Sequence, residues 1–388
     1  MTPSPYPLRR NLTFGIELEF VLATVPAGNP DPHPEDPRQV YFHDPNEPAN
    51  PPSTPSTFIY TILKHVAQTL TQHHVPAIPI LKRSQTTSFS HNWLVKTDAS
   101  IQPPDPTSAL YPYAYRWYAV EVVSPAYYHK RTTTDACRKV IRILREQYRM
   151  VVNSSCGLHV HVGNGLDGLN GTWLRNLMAV LWTFEPQLES LFPAHRKPRP
   201  GQGAEFNFAL SCASVLAAQA DAQTIGEGRT LAWLTAQQKR EWGLEQILAQ
   251  RDEAELCALM ASQYGAAIKC LPYHIQGLNP RDKSAGVEGS KKTIEFRQHE
   301  GTMDEEAVVM WVETVVMIVE FARDVREETV LAWLRECVRL EEGRFGVVRF
   351  LLAIGACLQA RYYGKKVWER REREQGVRRV MVGDGRED

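Results

Sequence analysis

Cysteine is scarce in this chain: 7 among 388 residues, with no C-x-x-C pair. That excludes a disulfide framework and a structural zinc site built on paired cysteines, and it makes a reducing cytoplasm the expected home. Neither sign of charge is in excess. Lys plus Arg and Asp plus Glu each total 44, for a formal net charge of zero. Nothing therefore points to nucleic acid or a membrane as partner. The most apolar stretch, Ala307 to Ala322, is interrupted by Glu313 and Glu320 and reads as a buried helix rather than a membrane span. The opening MTPSPYPLRRNLTF holds no apolar run of signal-peptide type. A G-x-x-x-x-G-K-[ST] phosphate loop is also missing, so any nucleotide would have to be held another way.

Apolar residues make up 43% of the chain, which predicts a folded protein with a substantial core. Proline is concentrated at the start: 13 of 26 fall in the first 57 residues. After a tail at 1–11, residues 26–56 therefore read as a long loop inserted behind the first strand, of the kind that serves as lid or binding loop. Alternation predicts strands at 12–24, 93–97, 117–123, 157–163, 273–278 and 293–299. Helices are expected over 57–74, 134–152, 172–191 and much of 204–268. Thr302 and Glu305 form a capping-box pattern ahead of a further helix. Two more helices fill 327–362, and 363–388 is a charged tail. No parallel βαβ unit is evident. The pattern suits an α+β fold whose mainly antiparallel sheet has one face on helices and one lining a wet cavity.

Four strands carry chemistry on one face. In Gly15-Ile-Glu17-Leu-Glu19 the period of two sends both glutamates to one side, opposite Phe14, Ile16, Leu18 and Phe20. Either a divalent cation lies between them or they line the exposed face of an edge strand. In Cys156-Gly-Leu-His159-Val-His161-Val-Gly163 both imidazoles share a face, as metal or phosphate ligands or as packed histidines. In Thr293-Ile-Glu295-Phe-Arg297-Gln-His299 the polar row is Glu295, Arg297 and His299. That row is a structural ion pair, or a ligand beside a guanidinium that clamps phosphate. Glu121 stands in an otherwise apolar strand, which is costly without a partner. Asp98 ends the preceding strand as a turn former or a site residue. A donor set rich in oxygen and without thiolate favours Mg²⁺ or Mn²⁺ over zinc.

Together FGIELEF at 14–20, D-x-S at 98–100, E-x-x-S-P at 121–125, CGLHVHVG at 156–163 and TIEFRQHEGT at 293–302 resemble the carboxylate–amine ligase superfamily. That superfamily includes glutamine synthetase and glutamate–cysteine ligase. The chain looks most similar to the amidoligase family found in fungi and bacteria. The resemblance implies a curved antiparallel sheet with helices on its outer face, as in the glutamine synthetase catalytic domain. It implies a catalytic domain over 12–325 with the 326–362 helices packed on it. It also implies ATP and Mg²⁺ (or Mn²⁺) as cofactors. By motif, Glu17, Glu19, Glu121, His159 and Glu295 look like metal ligands. His161 and Arg297 look like phosphate contacts and catalytic groups, with Glu121 counted also among the nucleotide-binding residues. Asp98 is the expected base or ammonium-binding group.

The implied reaction joins a small carboxylate to an amine, amino acid or peptide-like, through an acyl phosphate, releasing ADP and phosphate. Loops 26–55, 195–203 and 280–292 are the candidate lids. A metal-dependent hydrolase using the same Glu/His cluster, and a non-catalytic binding protein derived from a ligase, are the alternatives.

Overall fold

The computed structural model describes residues 12–43, 57–81, 91–104, 107, 115–197, 209–227, 230–265, 271–281, 291–340 and 343–383. Parts of the three expected lid loops, the 1–11 tail and the last five residues lie outside these. In chain order the first elements are β1 (Thr13–Pro26), β2 (Tyr41–His43), α1 (Thr57–Gln72), β3 (Ala77–Pro79) and β4 (Trp93–Lys96). Then come β5 (Arg116–Val123), β6 (Tyr127–Tyr128), α2 (Arg131–Gln147), β7 (Met150–Val151) and β8 (Gly157–Gly163). There follow α3 (Gly171–Thr183), α4 (Glu185–Glu189), α5 (Leu210–Ala213), α6 (Val215–Asp221), the β9 (Thr224–Glu227) and β10 (Thr230–Trp233) hairpin, α7 (Ala236–Ala249) and α8 (Glu253–Leu259). The chain closes with β11 (Tyr273–His274), β12 (Thr293–Glu300), α9 (Glu305–Asp324), α10 (Glu327–Cys337), α11 (Val347–Ala353) and α12 (Cys357–Gly383). None of the described helices is long and apolar enough to cross a membrane.

The chain divides into two compact units, 1–170 with 272–316, and 171–271 with 317–388. The first unit holds a ten-stranded sheet in the order β11-β12-β8-β1-β5-β4-β3, with β2, β6 and β7 also paired to β1. All pairings are antiparallel except β1 with β2 and β3 with β4. The expected α+β class with a mostly antiparallel sheet and packed helices is therefore present. The second unit is largely helical and adds the separate β9–β10 hairpin. Its core includes Phe184 stacked on Phe350 at 4.3 Å between ring centroids and packed against Trp333.

In the first unit, period two sorts the sheet's faces. Phe14, Ile16, Leu18 and Phe20 of β1, Leu158, Val160 and Val162 of β8, and Ile294 and Phe296 of β12 are all buried. On this side Phe296 meets Trp311 of α9 edge to face. The opposite face carries the polar row and, further along β1, an apolar cluster of Val21, Ile101 and Cys156 with Trp117, Ala119 and Val152 against it.

Three local expectations are revised. The helix expected over 172–191 is broken at Phe184 into α3 and α4, with Pro186 in the first turn of α4. The start of α9 is capped by Asp304, whose Oδ1 accepts from the amides of Glu306 and Ala307, while Thr302 Oγ1 accepts only from Asp304 N–H. The expected strand at 273–278 ends at His274 and continues as a 3₁₀ turn.

Gly301 N–H donates to Cys156 O at 2.9 Å, where β12 leaves the sheet. A Cβ on Gly301 would lie 2.6 Å from Cys156 Cβ and 2.8 Å from Val152 Cγ1. Gly301→Ala is expected to lower the unfolding free energy by about 2 kcal/mol. Urea denaturation with an unchanged midpoint would show that this crossing yields freely.

Candidate active site

The sheet register brings the predicted residues to one place. Across β4, β5 and β1 runs the row Lys96, Glu121, Glu19. Next to it Glu17 stands between Val123 of β5 and His159 of β8. One pair further on, His161 stands between Gly15 of β1 and Glu295 of β12. His274 of β11 completes that row beside Glu295. Strand pairing thus makes direct neighbours of groups as distant in sequence as Glu17 and His159, or His161 and Glu295.

A β-bulge shapes the last strand. Phe296 pairs with Val160 and His299 with Leu158, so Arg297 and Gln298 together oppose His159. Arg297 N–H donates to Pro272 O across the bulge, and Gln298 Nε2 donates to Tyr273 Oη. The extra residue reverses the alternation beyond it. His299, expected in the polar row, turns to the core face and lies against Trp311 at 5.5 Å between ring centroids. Glu300, opposite Gly157, returns to the polar face.

Glu17 is the hub. Its Oε1 lies 3.0 Å from His161 Nε2 and 3.0 Å from Lys291 Nζ, and its Oε2 lies 3.3 Å from His159 Nδ1. His159 Nδ1 is also 3.6 Å from Glu19 Oε1 and 3.7 Å from Glu295 Oε1. Glu19 Oε2 accepts from Gly157 N–H at 2.6 Å. Glu295 pairs with Arg297 and lies 3.6 Å from His274 Nδ1. Glu121 Oε2 sits 2.9 Å from Lys96 Nζ. Glu17, Glu19, Glu121, Glu295, His159 and His161 are all buried.

Burial favours the neutral form of a carboxyl, and nearby cations oppose it. At Glu17 the burial effect is overridden by Lys291, His161 and the hydrogen bonds with both histidines, so the group titrates well below the ordinary range. At Glu295 burial is likewise overridden, by His161 and Arg297, and the value falls to about 2. Glu19 goes the other way, because burial outweighs His159 and the Gly157 amide. Glu121 is raised well above the usual range, since burial and the charge of Glu17 outweigh Lys96. His161 is held down by burial and Lys291 against the pull of Glu17 and Glu295, which favours the neutral imidazole that binds metals.

The donor set suits a divalent cation. One atom each of Glu17, His161 and Glu295 lie within 4.8 Å of one another, close enough to share one ion. Asp98 sits at the margin. Its Oδ1 accepts from both the amide and the hydroxyl of Ser100, a local turn, yet its charge reaches Glu19. Ser124 of the E-x-x-S-P motif joins the strands instead, its Oγ accepting from Ile16 N–H at 2.9 Å.

The family described as "Putative amidoligase enzyme" matches residues 10–200, which include Glu17, Glu19, Asp98, Glu121, His159 and His161. The match supports an amidoligase family over that stretch of the chain. No curated protein matches the chain. Among solved structures it is similar to a bifunctional glutathione synthetase from Pasteurella multocida, at 9% identity and a TM-score of 0.34. That similarity covers 93% of this chain and 48% of the other, so the chain spans about half the length of that structure.

Lys96, Lys291 and His274 join the cluster without having been singled out by sequence. Only the K-x-D spacing of Lys96 and Asp98 hints at the first. The turn after β8 also carries Gly163-Asn-Gly165-Leu-Asp-Gly168, the spacing of a dinucleotide loop. Its context is wrong for that role. β8 is antiparallel to both neighbours, and the α3 N-terminus is taken by an acid, Gly171 N–H donating to Glu253 Oε1 at 2.6 Å.

Lys96→Met is expected to cost about 2 kcal/mol, because it leaves Glu121 buried without its partner. The Lys96→Met/Glu121→Gln double variant should recover more than half of that loss in metal-free urea denaturation. Equal losses in the two proteins would mean that the pair is not coupled.

Proposed function

We propose that this chain is an ATP-dependent carboxylate–amine ligase whose sheet is related to the catalytic domain of glutamine synthetases. One observation carries the reading. Glu17, His159, His161, Glu295 and Arg297, from three neighbouring strands, converge in a single cluster of buried carboxylates and imidazoles with a guanidinium beside it. The amidoligase match over 10–200 supports it.

In this reading Glu17, Glu19, Glu121, His159 and Glu295 would hold Mg²⁺ or Mn²⁺, which supplies neutralisation of phosphate charge when bound. Arg297 and His161 serve the transferring phosphoryl group, Arg297 through its fixed, always charged fork. A substrate carboxylate oxygen attacks the γ-phosphorus and the bond to the ADP oxygen breaks, giving an acyl phosphate. The amine nitrogen then attacks the acyl carbon and phosphate leaves with the C–O electron pair. The nitrogen gives its proton to a base, for which Asp98 is the nearest candidate of the D-x-S motif. Activation is necessary because a carboxylate and an amine do not condense unaided in water. The acid and amine are small molecules.

Arg297→Ala and Glu295→Gln are each expected to reduce ADP release by at least about 100-fold without loss of fold. The assay is a screen of acids and amines for ADP formation that needs both, with mass spectrometry of the amide. ADP release at the unaltered rate in these variants refutes the assignment. Product formation with metal but without nucleotide favours the hydrolase instead.

A further inference from the structure

Glu17 Oε1 faces two nitrogen groups at equal distance, His161 Nε2 and Lys291 Nζ, both at 3.0 Å. Glu17, His161 and Glu295 are also the trio whose ligand atoms lie close enough to share one cation. A divalent ion held by Glu17 and Glu295, the two members of that trio assigned to the cation above, would lie against the same carboxylate that pairs with the ammonium. Two positive groups cannot share that oxygen without strong repulsion in a buried site. One must give way.

The cluster's three fixed cations differ in their freedom to leave. Arg297 has 17% of its side chain exposed and Lys96 30%, whereas Lys291 has 44%. Lys291 also stands just ahead of β12, outside the strand ladder, on a flexible four-carbon stem. Its partner Glu17 is buried in β1 and cannot follow it. The ammonium can move into water, and the carboxylate stays.

We infer that Lys291 is an exchangeable counter-ion, which neutralises Glu17 while the cation site is empty and is displaced when a divalent cation loads. Metal loading is then an exchange of one positive group for another at Glu17. This rests on the metal-assisted reading above. It assigns Lys291 a part in setting cation affinity, distinct from any part in the chemical step.

The test is Mn²⁺ titration of the full chain without nucleotide, following free Mn²⁺ by electron paramagnetic resonance. Lys291→Met is expected to bind Mn²⁺ about fivefold more tightly than the unaltered protein, the scale of one half-exposed ion pair. Lys291→Arg keeps the charge and should stay near the unaltered affinity. Adding Glu295→Gln to Lys291→Met should weaken binding again. If Lys291→Met binds no more tightly, or if Lys291→Arg tightens binding as much, the exchange is refuted while the metal reading stands. If none of these proteins binds Mn²⁺ saturably, the metal reading fails and the exchange falls with it.

Discussion

Four carboxylates on one buried sheet face are the constraint to which the rest of the first unit answers. Glu17, Glu19, Glu121 and Glu295 all lie out of water. Buried charge is tolerated only when matched. Among the described residues, Lys96, Lys291 and Arg297 bring positive charge to these four acids, with His159 and His161 between them. The acids respond unequally. Glu17 and Glu295, flanked by cations and imidazole, are held as carboxylates, while Glu19 and Glu121 are pushed toward the neutral form. Such a cluster adds little to stability for its size. That arrangement is what the proposed cation and phosphate roles would call for.

Antiparallel pairing is what makes the cluster possible. Glu17 has one cross-strand neighbour on β5 and another on β8, while Glu19 pairs with Glu121 on β5 and its carboxylate takes the Gly157 N–H at the start of β8. The reverse face of the same strands is filled by Phe14, Ile16, Leu18 and Phe20, and a slip of one residue would bury the glutamates in that core. The apolar packing against Trp311 therefore holds the site's geometry without touching its chemistry.

Period two made half of this legible from sequence. Glu17 with Glu19, and His159 with His161, share a face because nothing interrupts their strands. The same rule misplaced His299, because a bulge adds one residue to β12 and no local signal marks it. Lys96 and Lys291 were passed over because a lysine near a strand end usually reads as solvated. Only the register, which joins positions far apart, reveals that each faces an acid. The cap of α9 was misassigned by two positions because Thr302 and Asp304 both precede the helix, and which side chain caps depends on where the backbone turns.

The fixed cations also bear on which chemistry the cluster suits. A hydrolase acting on a neutral amide or ester would develop a single negative oxygen beside the metal, which one cation can meet. The proposed phosphoryl transfer would place several negative oxygens there at once. Arg297 is tied to Glu295 and backed by the bulge, so its charge is held in place before any anion arrives. A group organised in advance has no reorganisation left to do as charge develops. The bulge, which spoils the alternation of β12, is thus also the feature that sets Arg297 against His159, among the acids that would otherwise repel a phosphate.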